Sequence, residues 1–318
     1  MKLNVLIQDL KDQQNISGIK DNNLKAIEEI FSCEVSMRGD SVYVNADEEI
    51  LPLLEEIFVL LNDISKLNYV LNERDIIYIC NTLKSGTKGD LLDLYIKPLT
   101  VGKKFGGKDV MPKTLNQKRY VLNLMHKDIV FGVGPAGTGK TYLAVMYAVS
   151  LLKEGSVKKI ILTRPAVEAG ESLGYLPGDL KEKIAPYLRP LYDALYDALG
   201  VEQTNLLIEK EIIEIAPLAY MRGRTLENAC VLLDEAQNTT TRQMKMFLTR
   251  LGFKSKMIIT GDISQVDLPK GVKSGLVEAI NILSDIKEIG ITLFSKEDVI
   301  RHLLVAKILA KYEEIEGR

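Results

Sequence analysis

Three short stretches of this chain combine residue types and spacings that act on phosphate. The first is Gly134-Pro135-Ala136-Gly137-Thr138-Gly139-Lys140-Thr141. It follows the apolar run 129–131 and leads into an amphipathic run over 142–152. Strand, glycine-rich loop and helix, in that order, is the context a phosphate-binding P-loop requires. The glycines let backbone N–H groups turn inward towards phosphate oxygens. The new helix aims its positive end at the same place. Lys140 can reach the β- and γ-phosphates, and Thr141 can offer its hydroxyl to Mg²⁺. The pattern implies binding of a nucleoside triphosphate.

The second stretch is Cys230-Val231-Leu232-Leu233-Asp234-Glu235, an apolar strand ending in two acids. The first acid, Asp234, suits a metal held through its water shell. The second, Glu235, suits a base that orients or deprotonates an attacking water. Two acids favour hydrolysis over transfer to an acceptor. The third stretch is Met257-Ile258-Ile259-Thr260-Gly261-Asp262-Ile263-Ser264-Gln265. Here Gln265 could meet the γ-phosphate or the water, while Asp262 could hold a nearby loop. A Gly-Asp pair is also a common turn.

Weaker signals flank these. In Thr114-Leu115-Asn116-Gln117-Lys118-Arg119-Tyr120 an amide could read adenine and Tyr120 could stack on a ring, although a polar helix start explains the segment equally well. The loop over 163–179 emerges from a strand at the ligand edge. Thr163 and Arg164 there could meet a nucleic-acid backbone and Tyr175 a base. Hydrolysis also gains from a cation on the transferring phosphoryl group. Arg222, Arg224 and Arg301 are the candidates, and surface solvation is the competing reading for each.

The supporting elements follow from periodicity. Residues 3–7, 33–37 and 42–45 alternate as short strands, with Arg38-Gly39-Asp40 as a hairpin turn. Helical spacing covers 21–31, 48–61 and 64–82. This gives a small α+β domain over 1–84. Glycine, proline and lysine enrichment makes 85–112 the expected linker. From 113 to 318 strands and helices alternate, which predicts a doubly wound parallel sheet. Expected strands are 128–133, 159–163, 212–216, 230–233, 257–260 and 291–293. Expected helices are 141–153, 190–199, 239–251, 273–284 and 295–313, the last with a capping-box start at Ser295.

Composition narrows the class. The chain has 318 residues and a formal net charge of −2, so any basic surface for nucleic acid must be local. No apolar run reaches the ~18 residues that span a bilayer, and the N-terminal apolar stretch is too short for a signal peptide. Cys33, Cys80 and Cys230 are far apart, and only His126 and His302 are present. A disulfide framework and a zinc cluster are therefore not expected, and a reducing cytoplasm is.

Taken together, 134–141, Asp234-Glu235-Ala236-Gln237-Asn238, Thr163-Arg164-Pro165 and Gly261-Asp262-x-x-Gln265 resemble the PhoH-like ATPases. The resemblance extends through Gly102-Lys103-Lys104 and Pro112-Lys113-Thr114 to Arg301-His302. The motifs are also similar to the first RecA-like core of superfamily 1 helicases. The resemblance implies a RecA-like P-loop NTPase that hydrolyses ATP with Mg²⁺, with roles around RNA. It implies RNA-degrading partners and a ring-shaped homo-oligomer. Gln117 would read adenine. Lys140 and Thr141 would serve phosphate and Mg²⁺, and Asp234 would support the metal. Glu235 would be the catalytic base and Gln265 the γ-phosphate sensor. Those helicases complete their site with arginines from a second core, which is absent here. A hexameric ring with a finger arginine in trans, Arg301 among the candidates, is the expectation. The N-terminal unit resembles a KH RNA-binding module through Gly18-Ile19-Lys20-Asp21 and the run that follows, with Asp21 where the second loop glycine belongs. RNA binding and assembly both stay open for it. The alternative function is a regulatory ATPase that serves a protein partner.

Overall fold

A computed structural model of the chain describes residues 1–86, 91–165, 180–269, 271–300 and 303–316. It divides into two compact units, Met1–Pro98 with Lys113–Leu115 and Glu297–Arg318, and Leu99–Pro112 with Asn116–Lys296.

The first unit begins with β1 (Lys2–Leu6), α1 (Leu10–Ser17) and α2 (Asn22–Phe31). It continues with β2 (Glu34–Arg38), β3 (Ser41–Asn45), α3 (Leu51–Lys66), α4 (Glu73–Lys84) and α5 (Asp93–Ile96). The sheet is antiparallel in the order β1-β3-β2. Ile16, Ile27, Val42, Leu54, Phe58, Leu61 and Ile79 form its core. Helix α1 has no counterpart in the expected elements. Ile16 is its one buried residue, so it lacks an apolar stripe to read, and Asp9 starts it by accepting from the Lys11 amide. The helix expected over 64–82 is instead the last turn of α3, a non-helical stretch over 67–72, and α4. Asn68 turns left-handed at φ 59°, and Asn72 then caps α4 in a reciprocal box with Asp75.

The expected linker is partly built into the second unit. There β4 (Gly102–Lys103) and β5 (Asp109–Val110) pair as a small hairpin. Next come α6 (Leu115–His126), β6 (Ile129–Val133), α7 (Lys140–Lys153), β7 (Lys159–Arg164), α8 (Leu180–Leu199) and α9 (Val201–Glu209). The unit closes with β8 (Ile213–Pro217), β9 (Ala229–Leu233), α10 (Thr241–Leu248), β10 (Lys256–Gly261), α11 (Gly275–Leu283) and β11 (Ile289–Leu293). A last helix, α12 (Leu303–Glu316), lies in the first unit. It was expected from 295. Instead the chain makes a short 3₁₀ turn over Lys296–Asp298 and buries Asp298 before the helix starts.

The large sheet is fully parallel, in the order β11-β6-β10-β9-β7-β8. Its strands are buried on both faces, as parallel sheets demand. Side chains alternate between two cores. Val130, Ile160, Leu162, Cys230, Leu232 and Ile258 join the core with α6 to α9. Phe131, Ile161, Val231, Leu233, Met257 and Ile259 join the one with α10 and α11. This is the doubly wound α/β arrangement, with β10 between the P-loop strand β6 and the acid-bearing strand β9. The carboxyl ends of β6, β7, β9 and β10 therefore open on one edge, where such sheets bind ligands. Burial pushes the Cys80 and Cys230 thiols up to about 12, so both act as small apolar residues.

Candidate nucleotide site

The loop after β6 is shaped by two glycines. A Cβ on Gly134 would lie 2.4 Å from the Phe294 carbonyl oxygen, so no side chain fits. Gly139 opens α7 from the left-handed region at φ 80°. Lys140, 8 % exposed, folds its ammonium back into the loop. Its Nζ donates to the carbonyls of Gly134 at 2.6 Å and Pro135 at 2.7 Å. Burial lowers the Lys140 pKa, while Asp262, Asp234 and Glu235 act to raise it. Thr138 closes the loop by donating to the Pro135 carbonyl at 3.0 Å.

The acids at the end of β9 meet this loop. Asp234 Oδ1 accepts from the Thr141 hydroxyl at 2.8 Å and the Thr260 hydroxyl at 2.7 Å. Its amide donates to the Thr163 carbonyl at 2.9 Å. Glu235 adopts a left-handed backbone, φ 52°, which turns its side chain off the strand line. Its Oε1 lies 2.9 Å from Arg164 Nη2, and its Oε2 accepts from Gln237 Nε2 at 2.5 Å. Gln237, 1 % exposed, uses its other end too: Oε1 accepts the Asp262 amide at 3.0 Å. Asp262 Oδ1 accepts from the Ser264 amide and hydroxyl. Among the described residues, its buried Oδ2 finds no hydrogen-bond partner.

These groups line one cleft of about 710 Å³. Ala136, Gly137, Gly139, Lys140, Thr141, Asp234, Glu235 and Gln265 all face it, as do Arg164 and Asp262. That volume suits a nucleotide-sized ligand. Helix α8 supplies another wall through Asp193 and Asp197. Asp197 accepts from the Tyr142 hydroxyl at 2.6 Å and pairs with Lys104 of the β4–β5 hairpin at 2.7 Å.

Other sequence-derived candidates stand elsewhere. Gln117 is buried behind the P-loop, where its Nε2 donates to the Thr138 carbonyl at 3.0 Å. Arg224 is committed to Glu214 through two hydrogen bonds of 2.6 and 2.7 Å, beside β8 at the sheet's far edge. Arg222 is exposed and does not line the cleft. Arg301, His302 and the loop around Tyr175 lie outside the described residues. Sequence reasoning passed over Gln237 as an individual residue, and it passed over Arg164 as a cleft cation. The run after Asp234-Glu235 and the polar end of β7 carried the signal.

The sequence pattern of PhoH-like proteins matches residues 109–313. The chain belongs to the PhoH-like family. A PhoH-like protein of Bacillus subtilis is 51 % identical over 314 residues, 99 % of this chain and 98 % of that one. A PhoH-like protein of Mycobacterium tuberculosis is 50 % identical over 301 residues, 93 % of this chain and 84 % of its own. Protein PhoH of Escherichia coli is 47 % identical over 205 residues, 64 % of this chain and 58 % of its own. The PhoH-like match spans every cleft residue named above. A Sulfolobus solfataricus SWI2/SNF2 ATPase core in complex with dsDNA is a distant likeness. It has 17 % identity and a TM-score of 0.33, over 59 % of this chain and 45 % of that one. The fold class rests on the strand order and the two buried faces instead. Among the described residues, no helix is long and apolar enough to cross a membrane.

The first unit has its own cleft, of about 540 Å³, between α1, α2 and β2. Ser17, Gly18, Asp21, Lys25, Glu28 and Ser36 contribute to it. Lys20 and Asp21 are both left-handed, at φ 57° and 59°. Asp21 thus holds the backbone conformation that a glycine would favour there. Lys25 Nζ donates to the Lys20 carbonyl at 2.9 Å, which puts its charge on the loop itself.

Proposed function

We propose that this PhoH-like chain hydrolyses ATP with Mg²⁺ and couples the reaction to RNA or other single-stranded nucleic acid. The observation that carries the first half is the Thr141–Asp234 hydrogen bond at the mouth of the P-loop, with Glu235 facing the same cleft. The oxygen donors there suit Mg²⁺, a hard cation that uses few protein ligands and keeps several waters. Among the described residues, no cluster of three or more acids, histidines or cysteines could hold a metal by itself. A site of one hydroxyl and one carboxylate, completed by phosphates, agrees with that. The buried Asp262 Oδ2, without a partner among the described residues, is an acceptor that a water of the metal's shell would satisfy. Thr141 and Asp234 would hold the ion, which when bound would supply neutralisation of the charge that develops on the transferring phosphate.

In this reading Lys140 and the 134–139 backbone hold the phosphates, and Thr141 and Asp234 hold the ion. Glu235 takes the proton of the attacking water. Gln265, exposed at the cleft's rim, meets the γ-phosphate, and Gln117 shapes the loop from behind. The nucleic-acid half is supported by the left-handed loop and cleft of the first unit, taken as a KH-like domain over 1–84. Assembly into a homo-oligomeric ring, a hexamer, would supply an arginine in trans, Arg301 being one candidate. RNA-degrading proteins are the partner class, and the three free buried cysteines suit the cytoplasm.

The test is the steady-state ATPase rate with Mg²⁺, with and without single-stranded RNA, at two salt concentrations, for the wild type and Lys140→Ala. Salt-sensitive stimulation that Lys140→Ala abolishes is the expected result. Hydrolysis unchanged by RNA would favour a regulatory ATPase with a protein partner. Sedimentation that finds a fully active monomer at micromolar concentration would remove the ring.

A further inference from the structure

Glu235 is the base of the proposed reaction, yet both of its oxygens are occupied from within the chain. A guanidinium holds one and an amide the other. A donor on each oxygen fixes the carboxylate in place and takes up lone pairs that an attacking water would otherwise meet. The same guanidinium is also a cation of the phosphate cleft, which it lines together with Lys140. Of the arginines that sequence reasoning favoured, the two among the described residues give no such cation. Arg224 is bound to Glu214, and Arg222 lies off the cleft.

The fold explains why Arg164 and Glu235 meet. Strands β7 and β9 are neighbours, with Thr163 in register with Leu233. The Asp234 amide is tied to the Thr163 carbonyl. Arg164 comes directly after Thr163, level with Asp234, and Glu235 follows one residue later, where its left-handed backbone turns it to meet the Arg164 guanidinium at the ligand edge. The Arg164 side chain is only 19 % exposed, so its charge is weakly screened.

We infer that Arg164 is the chain's own cation for the transferring phosphoryl group, and that its pairing with Glu235 is a latch released by the γ-phosphate. This rests on the reading of Glu235 as the base. A γ-phosphate offers the guanidinium fork more negative charge than one carboxylate, and a matching bidentate geometry. When Arg164 moves onto it, Glu235 Oε1 is freed for water. The water oxygen then bonds to the γ-phosphorus. The bond to the bridging oxygen breaks, its electron pair leaves with ADP, and the water proton passes to Glu235. Arg164 makes and breaks no covalent bond. It neutralises the charge on the equatorial oxygens. The base is thereby held back until its substrate arrives, and a neighbour's arginine would be a second cation rather than the first.

The experiment uses the full chain with Mg²⁺. It measures kcat and KM for ATP, and the affinities for ADP and for ADP–aluminium fluoride, a mimic of the transferring phosphoryl group. The variants are Arg164→Ala, Arg164→Lys and Glu235→Gln. Arg164→Ala should lower kcat by ~100-fold or more and abolish the preference for ADP–aluminium fluoride over ADP, with the ADP affinity nearly unchanged. Arg164→Lys keeps the charge without the fork and should recover only part of kcat. A kcat for Arg164→Ala at or above the wild-type value, with the preference intact, would overturn the inference. If Arg164→Ala no longer binds ADP, the lysine variant decides by the same two readouts, and wild-type values for both would overturn it. Full turnover by Glu235→Gln would instead overturn the reading of the base, and the latch with it.

Discussion

Thr141 Oγ1 and Asp234 Oδ1 lie 2.8 Å apart, although 93 positions separate them in the chain. One belongs to the first turn of α7 and the other to the end of β9, and the Thr260 hydroxyl on β10 donates to the same carboxylate oxygen. One helix and two strands thus converge on one atom. A site assembled in this way loses function through several distinguishable routes.

Asp234→Asn keeps the shape but gives up the charge and turns one oxygen into a donor group. It should lower kcat by ~100-fold or more and raise the Mg²⁺ concentration that gives half-maximal activity. Thr141→Ala should do the same more weakly. The double variant should fall short of the product of the single effects, since both act on one ion. Magnesium titrations of the four proteins decide this, and independent, multiplying effects would argue against a shared ion.

Glu235→Gln should cost ~10²–10⁴-fold in turnover, as expected when a general base is removed. Nucleotide affinity should be retained, since the phosphate-holding groups are untouched. A fluorescent ATP analogue measures the affinity and single-turnover quench the chemistry. Loss of binding in step with turnover would mean that Glu235 is structural.

Gln237→Ala removes one donor from Glu235 and one acceptor from the buried Asp262 amide. A buried group stripped of its partner costs about 1–3 kcal/mol. The variant should therefore lose stability in urea unfolding as well as kcat, with KM for ATP affected less. Loss of stability alone, at full kcat, would leave Gln237 a role in packing only.

The Glu214–Arg224 pair predicts a pH dependence of stability. Hydrogen bonding to Arg224 holds the Glu214 carboxyl below its ordinary 4.5, against the opposing effect of burial. The pair's contribution is present above that ordinary value and is lost as pH falls through the depressed one. Arg224→Ala should thus unfold at lower urea than the wild type at pH 7, and the gap should close on acidification below pH ~4. A gap that persists at low pH would assign the loss to packing of the arginine stem. ATPase activity at pH 7 should change little, because the pair lies off the cleft.

Much of this was legible in the residue order, and the misses have physical causes. The P-loop could be read because phosphate chemistry demands glycines and a lysine at fixed spacing, and local sequence alone sets that geometry. The parallel strands could be read because β9, Ala-Cys-Val-Leu-Leu, is buried on both faces and so is uniformly apolar. Helix α1 could not, because one buried residue makes no stripe. Asn72 was legible as a cap only once the left-handed turn at Asn68 was seen to end α3. The Arg164–Glu235 contact was hidden for a different reason. It depends on β7 lying next to β9, and strand order is a property of the whole sheet rather than of either segment. The sequence offered Arg222 and Arg224 from a loop after a strand and Arg301 from the last helix, whereas Arg164 reaches the cleft from a neighbouring strand end.

The place of β10 in that order works as a ruler. Neighbouring strands run ~4.8 Å apart, so one interposed strand sets the lines of β6 and β9 at ~10 Å. Side by side, the loop and the acids would collide at the sheet edge. Two strands apart, they would be too distant for a threonine hydroxyl and an aspartate to touch. A single intervening strand leaves a slot about as wide as a phosphate chain with its metal. It also carries Asp262 into the cleft between the two walls, with Gln265 exposed at the rim.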